Sequence, residues 1–316
     1  MPAYVGGAMS DVVLLFSGQG AQKVGMGKDF HEASDTAKAM FAEADEALGM
    51  SLSEVMFEGP SEELTRTSRC QPALYLHGLV AAALLQEKVP SLKPVAAAGL
   101  SLGEFTAHAA AGTFSRADGL KLVARRGEFM EEACEATTGA MAAMIGGDPE
   151  AVSALASECD VDVANFNAPG QIVISGAVEG IDAAVAQARD KGIRKAVKLK
   201  VAGAYHSRLM QSAQDKLSAE LAGVEMGSPT LPVVCNFGAS EVSDPAEIRS
   251  MLEKQVTGSV RWTESIELLV SQGHRTFVEL GPGKVLAGLV SKIAKDVVVH
   301  SVEDLESLEK AAEELA

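Results

Sequence analysis

Pro94-Val95-Ala96-Ala97-Ala98-Gly99-Leu100-Ser101-Leu102-Gly103-Glu104 decides the fold. The stretch opens as a short apolar run, turns tightly over residues 99–103, and continues in helix-forming residues towards Cys134, with a break near Gly112. A short apolar run closed by turn residues reads as a strand buried on both faces of a parallel sheet. Gly99 to Gly103 fits G-x-S-x-G, a pattern that sets a serine on a sharp strand-to-helix turn with its hydroxyl projecting at the top of the sheet. Glycines on both sides let the backbone pass without Cβ clashes. The helix that begins there aims its first amides and the positive end of its dipole at the same point. The pattern by itself is weak, because a Gly/Ser turn without chemistry can carry it. The strand before it and the helix after it are the context a nucleophile needs, so Ser101 is the candidate.

Working outward, residues 12–16 (Val-Val-Leu-Leu-Phe) read as a second buried strand, ending in the loop Ser17-Gly18-Gln19-Gly20. Helical patterns run on to about Lys88, broken at Gly59-Pro60 and restarted near Pro72. Residues 139–201 have their own rhythm. Strands are expected over 141–145, 161–165, 171–175 and 196–201, and helices over 149–157 and 181–188, with Asn167-Ala168-Pro169-Gly170 as a turn. That order is βαββαβ, the ferredoxin-like arrangement. The expected fold is therefore α/β: residues 1–136 and 204–316 form a large domain with a parallel sheet and a nucleophile elbow, and residues 137–203 an inserted ferredoxin-like small domain. Further on, helices are expected over 207–221, 245–255 and 263–272, and strands over 232–235 and 276–280. An amphipathic acidic helix over 302–316 closes the chain, its charges reading as a solvated face.

A serine nucleophile needs a base. His108 lies two turns along the nucleophile's own helix and cannot easily fold back, so a structural or surface role suits it better. His31, His274 and His300 stand among surface-like residues, and His77 in an apolar helix. His206 follows the small domain's last strand, where the chain re-enters the large domain and borders an interdomain cleft. Residue reasoning alone leaves the base open, with His206 the best placed.

The chain of 316 residues is long enough for a large domain with an insertion. Its 43 acidic against 27 basic residues give a formal charge of −16, which argues against nucleic acid as a partner. Cys70, Cys134, Cys159 and Cys235 are widely spaced and read as reduced, buried thiols. No apolar run approaches the roughly 18 residues that cross a bilayer. Residues 1–10 lack a signal-peptide layout and read as an added leader or the trimmed end of a longer precursor.

Several motifs now stand in order: Phe16-Ser17-Gly18-Gln19-Gly20-Ala21-Gln22, Gly99 to Glu104, Arg126-Gly127, Asn167-Ala168-Pro169-Gly170-Gln171, Val201 to His206, Gln255 with Val260-Arg261-Trp262, and Glu279-Leu280-Gly281-Pro282-Gly283-Lys284. Together they resemble the malonyl-CoA:acyl-carrier-protein transacylase family over residues 11–295. The resemblance implies an α/β-hydrolase-like large domain and transfer of a malonyl group from malonyl-CoA to acyl carrier protein for fatty acid synthesis. It also implies a nucleophile at Ser101, a general base at His206, and a main-chain carbonyl at Gln255 that fixes the imidazole tautomer. Amides of Gln19 and Leu102 would form the oxyanion hole, and Arg126 would clamp the malonyl carboxylate. Asn167 belongs to the implied substrate-binding set. No metal or organic cofactor is implied, and a monomer is the family habit.

An arginine fork suits that clamp because it meets a carboxylate with two parallel charge-assisted bonds. Leu100 stands where many members have His, and Ser17 where Pro is frequent. With Val201-Ala202-Gly203-Ala204-Tyr205-His206 and Gln255-Val256-Thr257, these variants look most like the cyanobacterial and plastid branch, implying a mature plastid stromal form, with bacterial cytoplasm as the alternative. Tyr205 resembles the aromatic of malonyl-selective members, whose ring would crowd a methylmalonyl methyl. Lys191, Arg194, Lys195, Lys198 and Lys200 gather in ten residues of an acidic chain and are candidates for steering acidic carrier protein, with Arg125 nearby; a solvated sheet face is the bland counterpart. In 196–201, Val197, Leu199 and Val201 are expected on the buried face and Lys198 and Lys200 on the other. The rival activity is a serine thioesterase or hydrolase of acyl-CoA, for which Arg126 has no use if the acyl chain is neutral.

Overall fold

The two apolar runs that frame the candidate elbow pair with each other in parallel, Phe16 opposite Gly99. They form the centre of a computed structural model that describes residues 11–316; the reading of residues 1–10 falls outside it. Along the described residues the strands are β1 (Asp11–Phe16), β2 (Lys93–Gly99), β3 (Gly139–Ile145), β4 (Asp162–Ala168), β5 (Gln171–Ala177), β6 (Lys195–Lys198), β7 (Val233–Cys235), β8 (Ser240–Glu241), β9 (Thr276–Leu280) and β10 (Val298–Val302). The larger sheet runs β10-β9-β1-β2-β7-β8, parallel except for β8. Phe16, Gly99 and Leu280 stand in register, and Ala98 pairs with Val234, so the carboxyl ends of β1, β2, β7 and β9 share one edge. Ligand sites of open α/β sheets form at that edge.

Alternation along β1 sends its side chains to two cores. Val12, Leu14 and Phe16 pack into a cluster with the Thr67–Lys88 and Arg116–Ala136 helices. Val13 and Leu15 pack on the other face with Trp262, Ile266, Leu269 and Leu289. The Thr67–Lys88 helix is buried on most sides, which explains why it reads as apolar almost throughout.

The inserted segment is a four-stranded antiparallel sheet in the order β4-β5-β3-β6, with the Pro149–Glu158 and Val178–Gln187 helices on it and a core of its own around Met144, Ile172, Ile174 and Ile181. It leans on the larger unit where Asn165 bridges Val260 and Phe166 N–H donates to Val260 O at 2.9 Å.

Some expectations need correction. β6 ends at Lys198 rather than residue 201, and Val197, Leu199 and Val201 are exposed (37%, 36% and 41%), not buried. The physical reason is register and position: Val197 pairs with Ala143 on the face opposite the core around Met144, at the sheet's edge, and Leu199, Lys200 and Val201 line the cleft. The helix expected from near Pro72 already begins at Thr67, so Pro72 lies inside it rather than at its start. β8 and β10 were not anticipated, and the last helix starts at Leu305, capped by Asp304. His108 is fully buried, which leaves only the structural half of its expectation.

Candidate active site

Two glycines make the elbow possible. A Cβ on Gly99 would lie 2.0 Å from the Gly103 carbonyl, and one on Gly103 would lie 2.2 Å from the Phe16 carbonyl oxygen. The turn is thereby pressed against the end of β1. Ser101 is held at φ 57°, ψ −107°, a region that costs a non-glycine residue about 1–3 kcal/mol. Its amide donates to Asn236 Oδ1 at 2.6 Å, and Asn236 Nδ2 donates to Gly99 O at 2.8 Å, so one side chain at the end of β7 fastens both sides of the turn.

His206 comes to the serine from 105 residues away, with 2.8 Å between Ser101 Oγ and His206 Nε2. It too sits at positive φ, 54°. Its Nδ1 lies 2.8 Å from the Gln255 carbonyl oxygen, which can only accept. Nδ1 must therefore carry the proton, and Nε2 is left with a lone pair facing the serine hydroxyl. Burial, helped by the nearby Arg126 charge, pushes the imidazole down to about 4, so it is neutral and basic at ordinary pH.

Arg126 projects from the Arg116–Ala136 helix into the same point and is 1% exposed. Nη1 donates to Gln71 Oε1 at 2.7 Å; Nη2 donates to Gln255 Oε1 at 2.9 Å and to Ser101 Oγ at 3.1 Å. Phe105 lies under the guanidinium, 5.2 Å from its centre. Burial lowers its pKa to about 10, opposed by the Glu104 charge, so the group remains a cation. Adjacent Arg125 faces outward to Glu128 and Glu220.

A cleft of about 350 Å³ opens above the serine, lined among others by Gln19, Leu100, Asn167, Tyr205, Val201 and Leu289. The Tyr205 hydroxyl shares a 2.8 Å hydrogen bond with Thr67 Oγ1, and Gln19 Nε2 reaches it at 3.5 Å. The Asn167 side-chain oxygen is buried without a protein partner. Lys200 stands on the cleft's lip. Of the basic cluster, Lys191 pairs with Glu158 and Lys198 with Asp182, which mutes both charges.

Sequence reasoning missed Gln71 and Asn236 and gave Glu104 no role. Glu104 is fully buried, and Oε2 accepts from Asn236 N at 2.9 Å and Gln255 Nε2 at 2.6 Å. Burial raises its carboxyl, against the pull of those donors and of Arg126. The signals were there: an acid in an apolar helix, and a polar residue at a strand's carboxyl end. Among the described residues, Glu104, His108 and Cys235 bring metal-type donor atoms within 4.8 Å of one another. Glu104 Oε2 is already committed to two donors, His108 Nδ1 pairs with Thr113 Oγ1 at 3.0 Å, and burial raises the Cys235 thiol, so it stays protonated. Within the trio Cys235 Sγ lies 3.9 Å from His108 Nε2, and Glu104 Oε1 has no protein partner.

Nucleophile, neutral imidazole and a buried cation beside the hydroxyl suit acyl transfer of a group that bears a negative charge. Comparison with known proteins agrees. The acyl transferase domain family matches residues 13–312. A malonyl CoA-acyl carrier protein transacylase of Bacillus subtilis is 42% identical over 312 residues, covering 97% of this chain and 98% of its own. An acyl carrier protein S-malonyltransferase from Vibrio cholerae, 37% identical, superposes with a TM-score of 0.92 over 96% of this chain and 100% of its own. A malonyl-transacylase solved in complex with its type II PKS acyl-carrier protein, also 37% identical, gives 0.93 over the same shares.

Proposed function

The chain belongs to the acyl transferase family, among its malonyl CoA-acyl carrier protein transacylases, and from that premise we propose that it carries a malonyl group from malonyl-CoA to the phosphopantetheine thiol of acyl carrier protein, as a Ser101 ester. One observation carries the reading: a buried guanidinium 3.1 Å from the serine oxygen. Malonyl ends in a carboxylate that can pair with it. A neutral acyl group would leave it unpaired in a dry site, which is costly.

The steps follow from the hydrogen bonds. His206 Nε2 takes the Ser101 proton as Oγ bonds to the thioester carbon. Amides of Gln19 and Leu102 receive the oxyanion; Leu102 opens its helix, so its N–H has no intrahelical acceptor. The C–S bond breaks and the imidazolium returns its proton to the departing CoA sulfur. The malonyl carboxylate rests on Arg126, with Asn167 and Tyr205 bordering it. In the second half, the carrier's thiol gives its proton to His206, sulfur bonds to the ester carbon, and Ser101 Oγ leaves with that proton. Malonyl-carrier protein then feeds fatty acid synthesis.

The larger unit (1–136 and 204–316) fits an α/β-hydrolase-like domain and the insertion (137–203) a ferredoxin-like one, with the cleft between them as the substrate's seat. Carrier protein docks beside β6 through Lys198 and Lys200, with Lys191, Arg194 and Lys195 nearby, and the enzyme works as a monomer. The motif variants favour the plastid stroma. Bacterial relatives favour the alternative, bacterial cytoplasm.

Intact-mass spectrometry after mixing with malonyl-CoA, then with carrier protein bearing its thiol arm, tests the proposal. One malonyl adduct, absent in Ser101→Ala and discharged by the carrier, supports it. Steady release of free malonate without transfer makes the protein a hydrolase instead.

A further inference from the structure

Glu104 is the only acid of the Leu102–Ala110 helix, one turn beyond the nucleophile, and none of the steps above uses it. Its partner Gln255 joins four groups. Gln255 Nε2 donates to Glu104 Oε2 at 2.6 Å and to Ser101 O at 2.9 Å; its Oε1 accepts from Arg126 at 2.9 Å; its main-chain oxygen accepts from His206 at 2.8 Å. The two ends of a glutamine amide are alike in size and opposite in polarity. Turned over, the amide would set NH₂ against a guanidinium and its oxygen against a carboxylate, so the acid dictates the orientation in which Oε1 faces Arg126.

There is a reason for the charge to act at one remove. A carboxylate touching Arg126 directly would occupy the bonds that a substrate carboxylate needs. In this arrangement Arg126 touches only neutral oxygens, from Gln71, Gln255 and Ser101. Its Nε has no protein partner. Glu104 supplies the buried counter-charge from the far side of Gln255.

Resting on the reading of Arg126 as the malonyl clamp, we infer that Glu104 is a positioning residue for carboxylate recognition: it fixes the Gln255 amide and, through it, the Arg126 guanidinium in the orientation that receives the acyl carboxylate.

The test compares two reactions of the same serine. Malonylation by malonyl-CoA needs Arg126. Sulfonylation by phenylmethylsulfonyl fluoride uses Ser101, His206 and the oxyanion amides, and brings no carboxylate for Arg126 to receive. In Glu104→Ala the malonylation rate constant should fall about 100-fold, the effect typical of a lost outer hydrogen-bonding partner, with sulfonylation within about threefold of wild type. Glu104→Gln, which keeps the shape and one acceptor oxygen, should recover most of that loss. In an Arg126→Ala background, adding Glu104→Ala should leave the ratio of the two rates unchanged, because coupled residues are not additive. Parallel loss of both reactions in variants that melt as folded proteins would overturn the inference, as would a ratio within about threefold of wild type in Glu104→Ala. A wild-type enzyme that forms no malonyl adduct would instead remove the reading of the site on which the inference rests.

Discussion

Replacing Arg126 by Ala tests the chemistry most directly, because one side chain sets two observables. The first is selectivity. The guanidinium is 1% exposed and gives one hydrogen each to Gln71, Gln255 and Ser101. A malonyl carboxylate would be received by those N–H groups that remain, in a cleft floor that excludes water. Breaking a buried, hydrogen-bonded ion pair costs about 3–5 kcal/mol, and each 1.36 kcal/mol is about tenfold in rate. Malonyl-CoA should therefore acylate Arg126→Ala roughly 10²- to 10⁴-fold more slowly. Acetyl-CoA offers no carboxylate. The bond from Arg126 to Ser101 Oγ is lost for both acyl groups and cancels in their ratio, so the malonyl-to-acetyl ratio should collapse by nearly the whole amount.

The second observable is pH. Burial first, and then the Arg126 charge, hold the His206 imidazole at about 4. The base must be neutral to act, so acylation fails as pH falls through that value. Without the arginine, and with the cavity that Ala leaves, the imidazolium is less disfavoured, and the acid limb should move up towards the ordinary histidine value of about 6.5. Rapid-quench acylation followed by intact mass, run with both thioesters from pH 4 to 8, reads both effects. A malonyl-to-acetyl ratio within threefold of wild type would refute the argument, whatever the pH profile did.

Tyr205→Ala should raise the methylmalonyl-to-malonyl acylation ratio by about 10-fold or more, the usual worth of one methyl in a pocket; an unchanged ratio removes the ring from the selectivity. Three buried histidines, His77 and His206 at about 4 and His108 at about 3, have folded values below their unfolded ones. The unfolded chain thus takes up more protons below about pH 6.5, and stability should fall as pH drops, by about 2 kcal/mol per histidine between pH 7 and 5. Glu104 and Glu279, shifted upward by burial, act in the opposite sense at the acid end. Urea unfolding at the two pH values checks the sign, which a flat or rising stability on acidification would contradict. Joint replacement Lys198→Glu and Lys200→Glu should lower kcat/KM for carrier protein about 10-fold at low salt and flatten its salt dependence, while acylation by malonyl-pantetheine, which lacks nucleotide phosphates, stays unchanged. Equal carrier rates in variant and wild type would discard this face as the docking side.

What the residues announced depended on whether their surroundings are local. β1 and β2 were legible because strands buried on both faces are short apolar runs ended by glycine, and both features lie in adjacent residues. β6 misled because alternating residues 196–201 look like a half-buried strand, whereas an edge position, decided by which strands the chain later pairs, leaves the apolar side bare. β10 was hidden in a short run before an acidic helix, and only its pairing with β9 makes it a strand. The site divides in the same way. Ser101 has a local pattern. His206 has none, since its partner lies 105 residues off, and the oxygen that sets its tautomer is a main-chain carbonyl that any residue at 255 could provide. Glu104 is the instructive middle case. An acid in a helix of Leu, Gly, Phe, Thr and Ala must either face water or be answered by donors. Its helix follows the nucleophile directly and is buried around it, so the first option is closed. A sequence can therefore require that donors exist without saying which they are. Here they are Asn236, which fastens the elbow, and Gln255, which holds both the base and the clamp. A single buried acid thus reaches, through Gln255, the guanidinium that selects the substrate, and damage at Glu104 should be read in the loss of malonylation relative to sulfonylation rather than at its own position.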